Sequence, residues 1–432
     1  MTKFAHSLLT LAVSSSVALA QGGWSGAPGK GLNYDGGDTF SFKMANQLQT
    51  HWTFTANDGG TDTNNFTIRR ARTKFSGHAY NKNINYVLLV DATDSGSSGD
   101  GNIKDAHITW SFLNDDSGSI GLRMGQGKTL FGLEGTGSSS GLTFVERSLA
   151  ARGFSDARSR GAWLVGSQAE NKLRWAAGAM NGSTAHGLTG ASVDLTAAGT
   201  ATDPIVGASG YTDRGEETSN SDNELSYVLS ASFDPLGDCL GGKGNESFKQ
   251  GDFRTDNKSL RGTIGLGVAL ENGKDATSGA DVESTSINVN TAWQAAGFQF
   301  MGEYFMRTDE GTSQNFANTG AATDKEESSG WAASVGWIMP KSSDTAIQWG
   351  FGARISSAEN DIGNDIKVDY LGGLQGIGAT PGDVTELSFV ANAFYHGHAC
   401  KTQLEYTIQD VNPTAGGDTT NHIVRVAFQL LF

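Results

Sequence analysis

From residue 39 onward the chain repeats one pattern. Apolar side chains recur at every second position, in stretches too long for ordinary globular strands. In FSFKMANQLQTHWTFT, Phe40, Phe42, Met44, Leu48, Trp52 and Phe54 share one face; Ser41, Lys43, Gln47, Gln49, His51 and Thr53 share the other. A period of two marks a strand with one apolar and one wet face. A run of about 16 residues is long against the usual 5–6. It suits a tilted strand in which about 9–11 residues cross hydrocarbon. The C-terminal NHIVRVAFQLLF behaves alike: Val424, Val426, Phe428, Leu430 and Phe432 face one way, and Ile423, Arg425, Ala427, Gln429 and Leu431 the other.

Segments of this kind are predicted at 39–55, 66–80, 84–93, 104–112, 118–127, 160–167, 171–180, 224–233, 260–270, 282–294, 297–307, 330–338, 344–356, 385–396, 399–409 and 421–432. Connections after odd-numbered segments are long. Those after even-numbered ones are short, with tight turns at Ala295-Ala296 and Gly397-His398; the exception is 234–259. Transmembrane barrels show this asymmetry between outer loops and periplasmic turns. The predicted fold is therefore all-β, a 16-stranded antiparallel transmembrane β-barrel, in which closure satisfies every backbone group in lipid. Sixteen strands enclose a lumen wide enough for water. No apolar run of 18 residues follows position 20.

The first 20 residues read as a secretory signal peptide. Lys3 supplies a positive start, Leu8 to Leu19 a short apolar stretch, and Ala18-Leu19-Ala20 a small-x-small cleavage site. Residues 21–38 form a short N-terminal segment and 39–432 the barrel domain.

Charge changes the picture next. The net charge of −15 excludes a nucleic-acid partner, which requires a basic face. Yet with the apolar face outward, the inward positions carry Lys43, Arg123, Lys172, Arg174, Arg261, Arg307, Arg354, Lys401 and Arg425. Arg70, Arg72 and Lys74 join them if Ala71, Thr73 and Phe75 face lipid, although Phe66 and Ile68 then fall on the wrong face. The inward acids are Asp105, Glu271, Glu303 and Glu405, while Asp309, Glu310, Asp324, Glu326 and Glu327 lie in or beside connections. Fixed cations on a low-dielectric bore concentrate anions. Trp110, Trp163, Trp175, Trp293, Trp331, Trp337 and Trp349 are candidates for interfacial girdles.

Several motifs point elsewhere and fail on spacing. GLRMGQGKTLFGLEG (121–135) ends like a phosphate-cradling loop, but the first glycine it needs is Leu122. His396, His398 and Cys400 alternate as metal ligands do, without a fourth donor, so no metal site and no cofactor is predicted. DATDSGSSGDG lacks the glutamate that closes a calcium loop. The two cysteines, Cys239 and Cys400, are no disulfide framework. An outer-membrane barrel enzyme needs a Ser–His pair held by an acid, and no such constellation stands out.

FTIRRARTKFSGHAYNKNINYVLLVDA (66–92), IKDAHITWSF (103–112) and LRMGQGKTLFGLEGTGSSSGLTFVERSLAARGFSDARSRGAWLVG (122–166) resemble the phosphate-selective porins of the O and P type. The likeness implies a trimeric outer-membrane barrel lined with arginines, whose third loop folds into the lumen. It implies a homotrimer, passive diffusion of small anions such as phosphate, and contact with outer-membrane lipid. The terminal Phe432 would be read by the assembly machinery. By that resemblance, Arg69, Arg70 and Arg72 match the second-strand arginine motif. Together with Lys74, Arg123, Lys128, Arg174, Arg261, Arg307, Arg354 and Arg425 they are the expected pore lining. Arg147, Arg152, Arg158 and Arg160 are the expected constriction-loop residues, facing Glu134, Glu146 and Asp156. Residues 129–160 contain no lysine, a departure from the phosphate-specific pattern. A general porin for sugars or carboxylates is the alternative.

Overall fold

The computed structural model describes residues 23–58, 60–93, 103–155, 158–181, 225–241, 244–274, 281–310, 326–343, 345–360, 382–413 and 417–432. Side chains are not described at 271–274, 281–282, 309–310, 326, 360, 382 and 413. Positions 1–20, Asp156, Asp324, the 94–101 part of the calcium-like stretch and the side chains of Glu271, Asp309, Glu310 and Glu326 therefore lie outside the described residues.

A short hairpin, β1 (Gly23–Ala27) and β2 (Gly31–Asp35), opens the described chain. Sixteen longer strands follow. They are β3 (Ser41–Ala56), β4 (Thr63–Ala79), β5 (Asn81–Asp91), β6 (Ile103–Asp115), β7 (Gly118–Lys128), β8 (Arg158–Gln168), β9 (Leu173–Met180) and β10 (Ser226–Leu236). Then come β11 (Arg261–Lys274), β12 (Asp281–Ala295), β13 (Phe298–Glu310), β14 (Glu326–Ile338), β15 (Gln348–Asn360), β16 (Gly382–Phe394), β17 (Cys400–Pro413) and β18 (Thr419–Leu431). Each pairs antiparallel with its neighbours in sequence, and β18 returns to pair with β3, closing a 16-stranded barrel. Asn46 and Phe432 exchange backbone hydrogen bonds at the seam's end. The β1–β2 hairpin continues along the same edge of β3, with Leu32 opposite Met44 and Asp35 opposite Ser41.

The alternation seen in sequence maps directly onto lipid and lumen. Leu229, Leu266, Val289, Val335, Phe351, Phe389, Leu404 and Phe428 are exposed on the outer surface. Their alternation partners Val228, Asn288, Ser334, Ser388, Glu405 and Ala427 are buried inside. Trp110, Trp331 and Trp349 are exposed, whereas Trp163 is fully buried in the interior and belongs to no girdle. Lys172 falls in the turn between β8 and β9 and is exposed, not on a strand wall. The turn between β12 and β13 is Ala296-Gly297, one residue later than the sequence suggested. Both residues have positive φ, 51° and 87°, the twist that suits a two-residue hairpin.

The ambiguous register of β4 is resolved by a β-bulge. Arg70 lies opposite Gln49 and Ile68 opposite Thr50, so Arg69 is an extra residue between them. One inserted residue shifts the alternation by one. Phe66 and Ile68 consequently face lipid, at 80% and 60% exposure, and so do Ala71, Thr73 and Phe75 below the bulge. Two consecutive arginines, Arg69 and Arg70, turn inward.

Candidate permeation site

The bore is crossed by chain from both ends. Residues 129–155, the described part of the connection between β7 and β8, fold inward, and residues 131–151 are almost all buried. Its helix α1 (Leu149–Phe154) starts at Ser148, whose hydroxyl accepts the Ala151 N–H, a standard N-terminal cap. Leu149, Ala150 and Phe154 pack on β13–β15, with Phe154 stacked on Phe305 at 5.6 Å. Gly330 makes room for it: a Cβ there would stand 2.6 Å from the Phe154 ring.

A buried loop must satisfy its own backbone polar groups, and here the barrel wall and the loop's own Arg147 do so. The Lys128 ammonium donates to the carbonyls of Gly135, Thr136 and Gly137. Arg147 donates to those of Glu134 and Gly137, Lys401 to that of Leu142, and Gln403 to that of Thr143. In return the loop's N–H groups donate to wall carboxylates. Leu133 and Glu134 reach Glu303, and Val145 reaches Glu405. Several cations of the wall thus serve as pins for the loop.

Most arginines predicted to line the pore have carboxylate partners. Arg69 and Arg70 share Glu146, at 2.6 and 3.0 Å. Arg72 pairs with Asp91, Arg123 with Glu246, Arg152 with Glu386, Arg158 with Asp105 and Arg425 with Glu405, all between 2.5 and 2.8 Å. Arg174 meets Asp234 and Asp238 at 3.1 Å. Arg354 lies 3.8 Å from Glu134 and 4.3 Å over the Phe144 ring. Arg261 and Arg160 hydrogen-bond the amides of Gln294 and Gln126, and Arg307 the Ser284 hydroxyl. Lys74 is exposed and makes no hydrogen bond or ion pair among the described residues. The β4 cluster therefore sets Arg69, Arg70, Arg72 and Lys74, with Arg158 of β8 beside them, against three described carboxylates, Glu146, Asp91 and Asp105. Burial by itself would raise the Glu146 pKa, but Arg69 and Arg70 hold it well below the usual carboxylate value. Arg123 acts the same way on Glu246.

The second insertion is the connection 237–260, long although it joins β10 to β11 on the short-turn side. Its described residues, 237–241 and 244–260, enter the barrel and meet the first loop. Gln250 accepts from Thr143 N–H and donates to Glu134; Asn245 donates to the Gly132 carbonyl. Leu240 and Phe248 pack with Leu133, Ala292 and Met301. His398, in the opposite turn, bonds the Gln250 carbonyl and is held neutral by burial. Cys239 is buried and Cys400 half-buried; both are free thiols. His396, His398 and Cys400 form no metal-binding group among the described residues.

The family model for phosphate-selective porin O and P matches residues 42–346. Among solved structures, an anion-selective porin from Comamonas acidovorans superposes with a TM-score of 0.54 at 9% identity, over 91% of this chain and 100% of that one. The outer membrane channel DcaP of Acinetobacter baumannii gives 0.54 at 12%, over 91% and 98%. Pseudomonas putida OprB gives 0.50 at 9%, over 90% and 94%. No curated protein matches the chain.

Proposed function

Because the chain belongs to the phosphate-selective porin O and P family, a group of channels of the bacterial outer membrane, we propose that it passes small anions, phosphate among them, by passive diffusion. The β4 cluster carries the reading. Five cations there, Arg69, Arg70, Arg72, Lys74 and Arg158, face three described carboxylates, Glu146, Asp91 and Asp105, and Lys74 is exposed and forms no ion pair or hydrogen bond among the described residues. Fixed positive charge in a narrow aqueous path lowers the barrier for anions and raises it for cations. Binding is weak enough for exit, since most of the other arginines already hold carboxylates. That same pairing favours a second reading, a general porin with slight selectivity. Removal of the first 20 residues, homotrimer assembly and recognition of Phe432 by the assembly machinery belong to the proposal. In planar bilayers with a potassium chloride gradient, Lys74→Ala lowers the chloride-over-potassium permeability, and phosphate blocks chloride current through the unmodified channel. A reversal potential that Lys74→Ala leaves in place favours the general porin.

A further inference from the structure

Pairing across four strands brings Ser119 of β7, Ser167 of β8, Arg174 of β9 and Ser232 of β10 into one inward row near the short-turn rim. The adjacent inward row is mostly small, with Gly121, Ala176 and Ser230 around Val165. Beyond it stand Arg123 and the fully buried Trp163. Small residues between larger ones leave a recess in the wall. Residues 244–246 of the inserted connection flank it on the lumen side, leaving a half-open recess of about 250 Å³. A void of about 150 Å³ already admits benzene, so this one takes a six-carbon solute.

The lining is rich in hydrogen-bonding groups that the protein leaves unused. The hydroxyls of Ser230 and Ser232 make no side-chain hydrogen bond among the described residues. Among the described residues, Nε and Nη1 of Arg123 and Nε of Arg174 are buried donors without an acceptor, and Oδ1 of Asn245 is a buried acceptor without a donor. Buried polar groups are ordinarily satisfied, and a group of exceptions around one cavity points to a missing partner. The charges, by contrast, are spoken for. Arg123 has Glu246, and Arg174 has both Asp234 and Asp238. Carboxylates outnumber guanidiniums, so a further anion is repelled, while each acid already faces a guanidinium.

A neutral molecule with many hydroxyls meets neither obstacle. Each hydroxyl accepts from a guanidinium or donates to an amide oxygen as the position requires. We propose that this recess is a binding subsite for a neutral polyhydroxylated solute, a sugar or sugar alcohol. The proposal rests on the channel reading and adds a solute class that the β4 cluster does not select.

The test uses the purified full-length protein in planar bilayers, with glucose, sorbitol or gluconate added at either side. Glucose and sorbitol lower the conductance saturably. The double variant Ser230→Ala/Ser232→Ala weakens that block by about tenfold, the loss of two ordinary hydrogen bonds. Asn245→Leu weakens it separately, and Ser334→Ala on β14 leaves it unchanged. Heat-modifiable gel mobility and unaltered sugar-free conductance identify folded variants. Conductance that falls only with solution viscosity, a block indifferent to all three cavity substitutions, or gluconate binding more tightly than glucose would overturn the subsite while leaving the channel standing. A bilayer that stays closed in plain salt would overturn the channel reading, and the subsite with it.

Discussion

Glu146→Gln isolates the electrostatics of the loop from its shape. The amide keeps an acceptor for Arg69 and Arg70 but removes the negative charge they share. Arg69 is 22% exposed toward the bore, whereas Arg70 is enclosed, so the released charge acts on a passing ion at short range. A unit charge in water contributes about 1 kcal/mol at 4 Å and about 0.4 kcal/mol at 10 Å. Those energies correspond to about fivefold and about twofold in permeability. Chloride gains and potassium loses by these factors, so the chloride-over-potassium ratio should rise by roughly four- to twenty-fivefold. The rise should shrink in concentrated salt, where the screening length drops to about 3 Å. Zero-current potentials across a salt gradient measure it. The pH dependence gives a second reading. Burial would raise the Glu146 pKa, but Arg69 and Arg70 pull it well below 4.5. A depressed carboxyl contributes its full share above its ordinary value and loses it only as pH falls through the lower folded value. The unmodified channel should thus keep its selectivity from neutral pH down through 4.5, approaching the variant only in stronger acid. A variant with unchanged selectivity, or one shifted toward potassium, would refute the reasoning.

Arg152→Met strands Glu386 in a site where both side chains are at most 3% exposed; it should cost about 3–5 kcal/mol, and Arg152→Met/Glu386→Met should recover most of that. Urea unfolding from vesicles, followed by tryptophan fluorescence, decides, and an unmoved midpoint for the single variant denies the pair its anchoring role. Gly178→Ala places a Cβ 2.2 Å from the Trp163 ring and should destabilise by about 1–3 kcal/mol through overpacking; equal stability in the same assay would mean that Trp163 has room to turn. Burial, aided by Asp234, pushes the Cys239 thiol up to about 12, so maleimide at pH 8 should label this position only after unfolding. Rapid labelling of the native barrel, read by mass spectrometry of the Cys239 peptide, would contradict the burial.

The barrel was legible because lipid imposes a strict alternation, and all sixteen expected segments coincide with β3–β18 to within a few residues. The β1–β2 hairpin was missed: five-residue strands such as GWSGA carry too few apolar positions to show a period. The bulge at Arg69 was visible only as a conflict between Phe66 and Ile68 above it and Phe75 below. Inward arginines could be named from alternation, but not their partners. Arg70 and Glu146 lie 76 residues apart, Arg152 and Glu386 lie 234, and no local spacing encodes such pairs. The 237–260 connection stood out by length alone; its place inside the bore follows from tertiary contacts of Leu240, Phe248 and Gln250.

The seam of the cylinder and the chain that crosses it lean on the same side chains. Gln429 of β18 donates to Ser140 in the loop and to His398 in the facing turn, while Arg70 joins Glu146 of the loop to Gln49 of β3. Pulling the loop out would strip the two strands that complete the ring, so a wide swing of that loop and partial unzipping of the wall are one event. The aperture is consequently a fixed sieve: what changes its permeability in an intact membrane is the rearrangement of single side chains, not the departure of the loop.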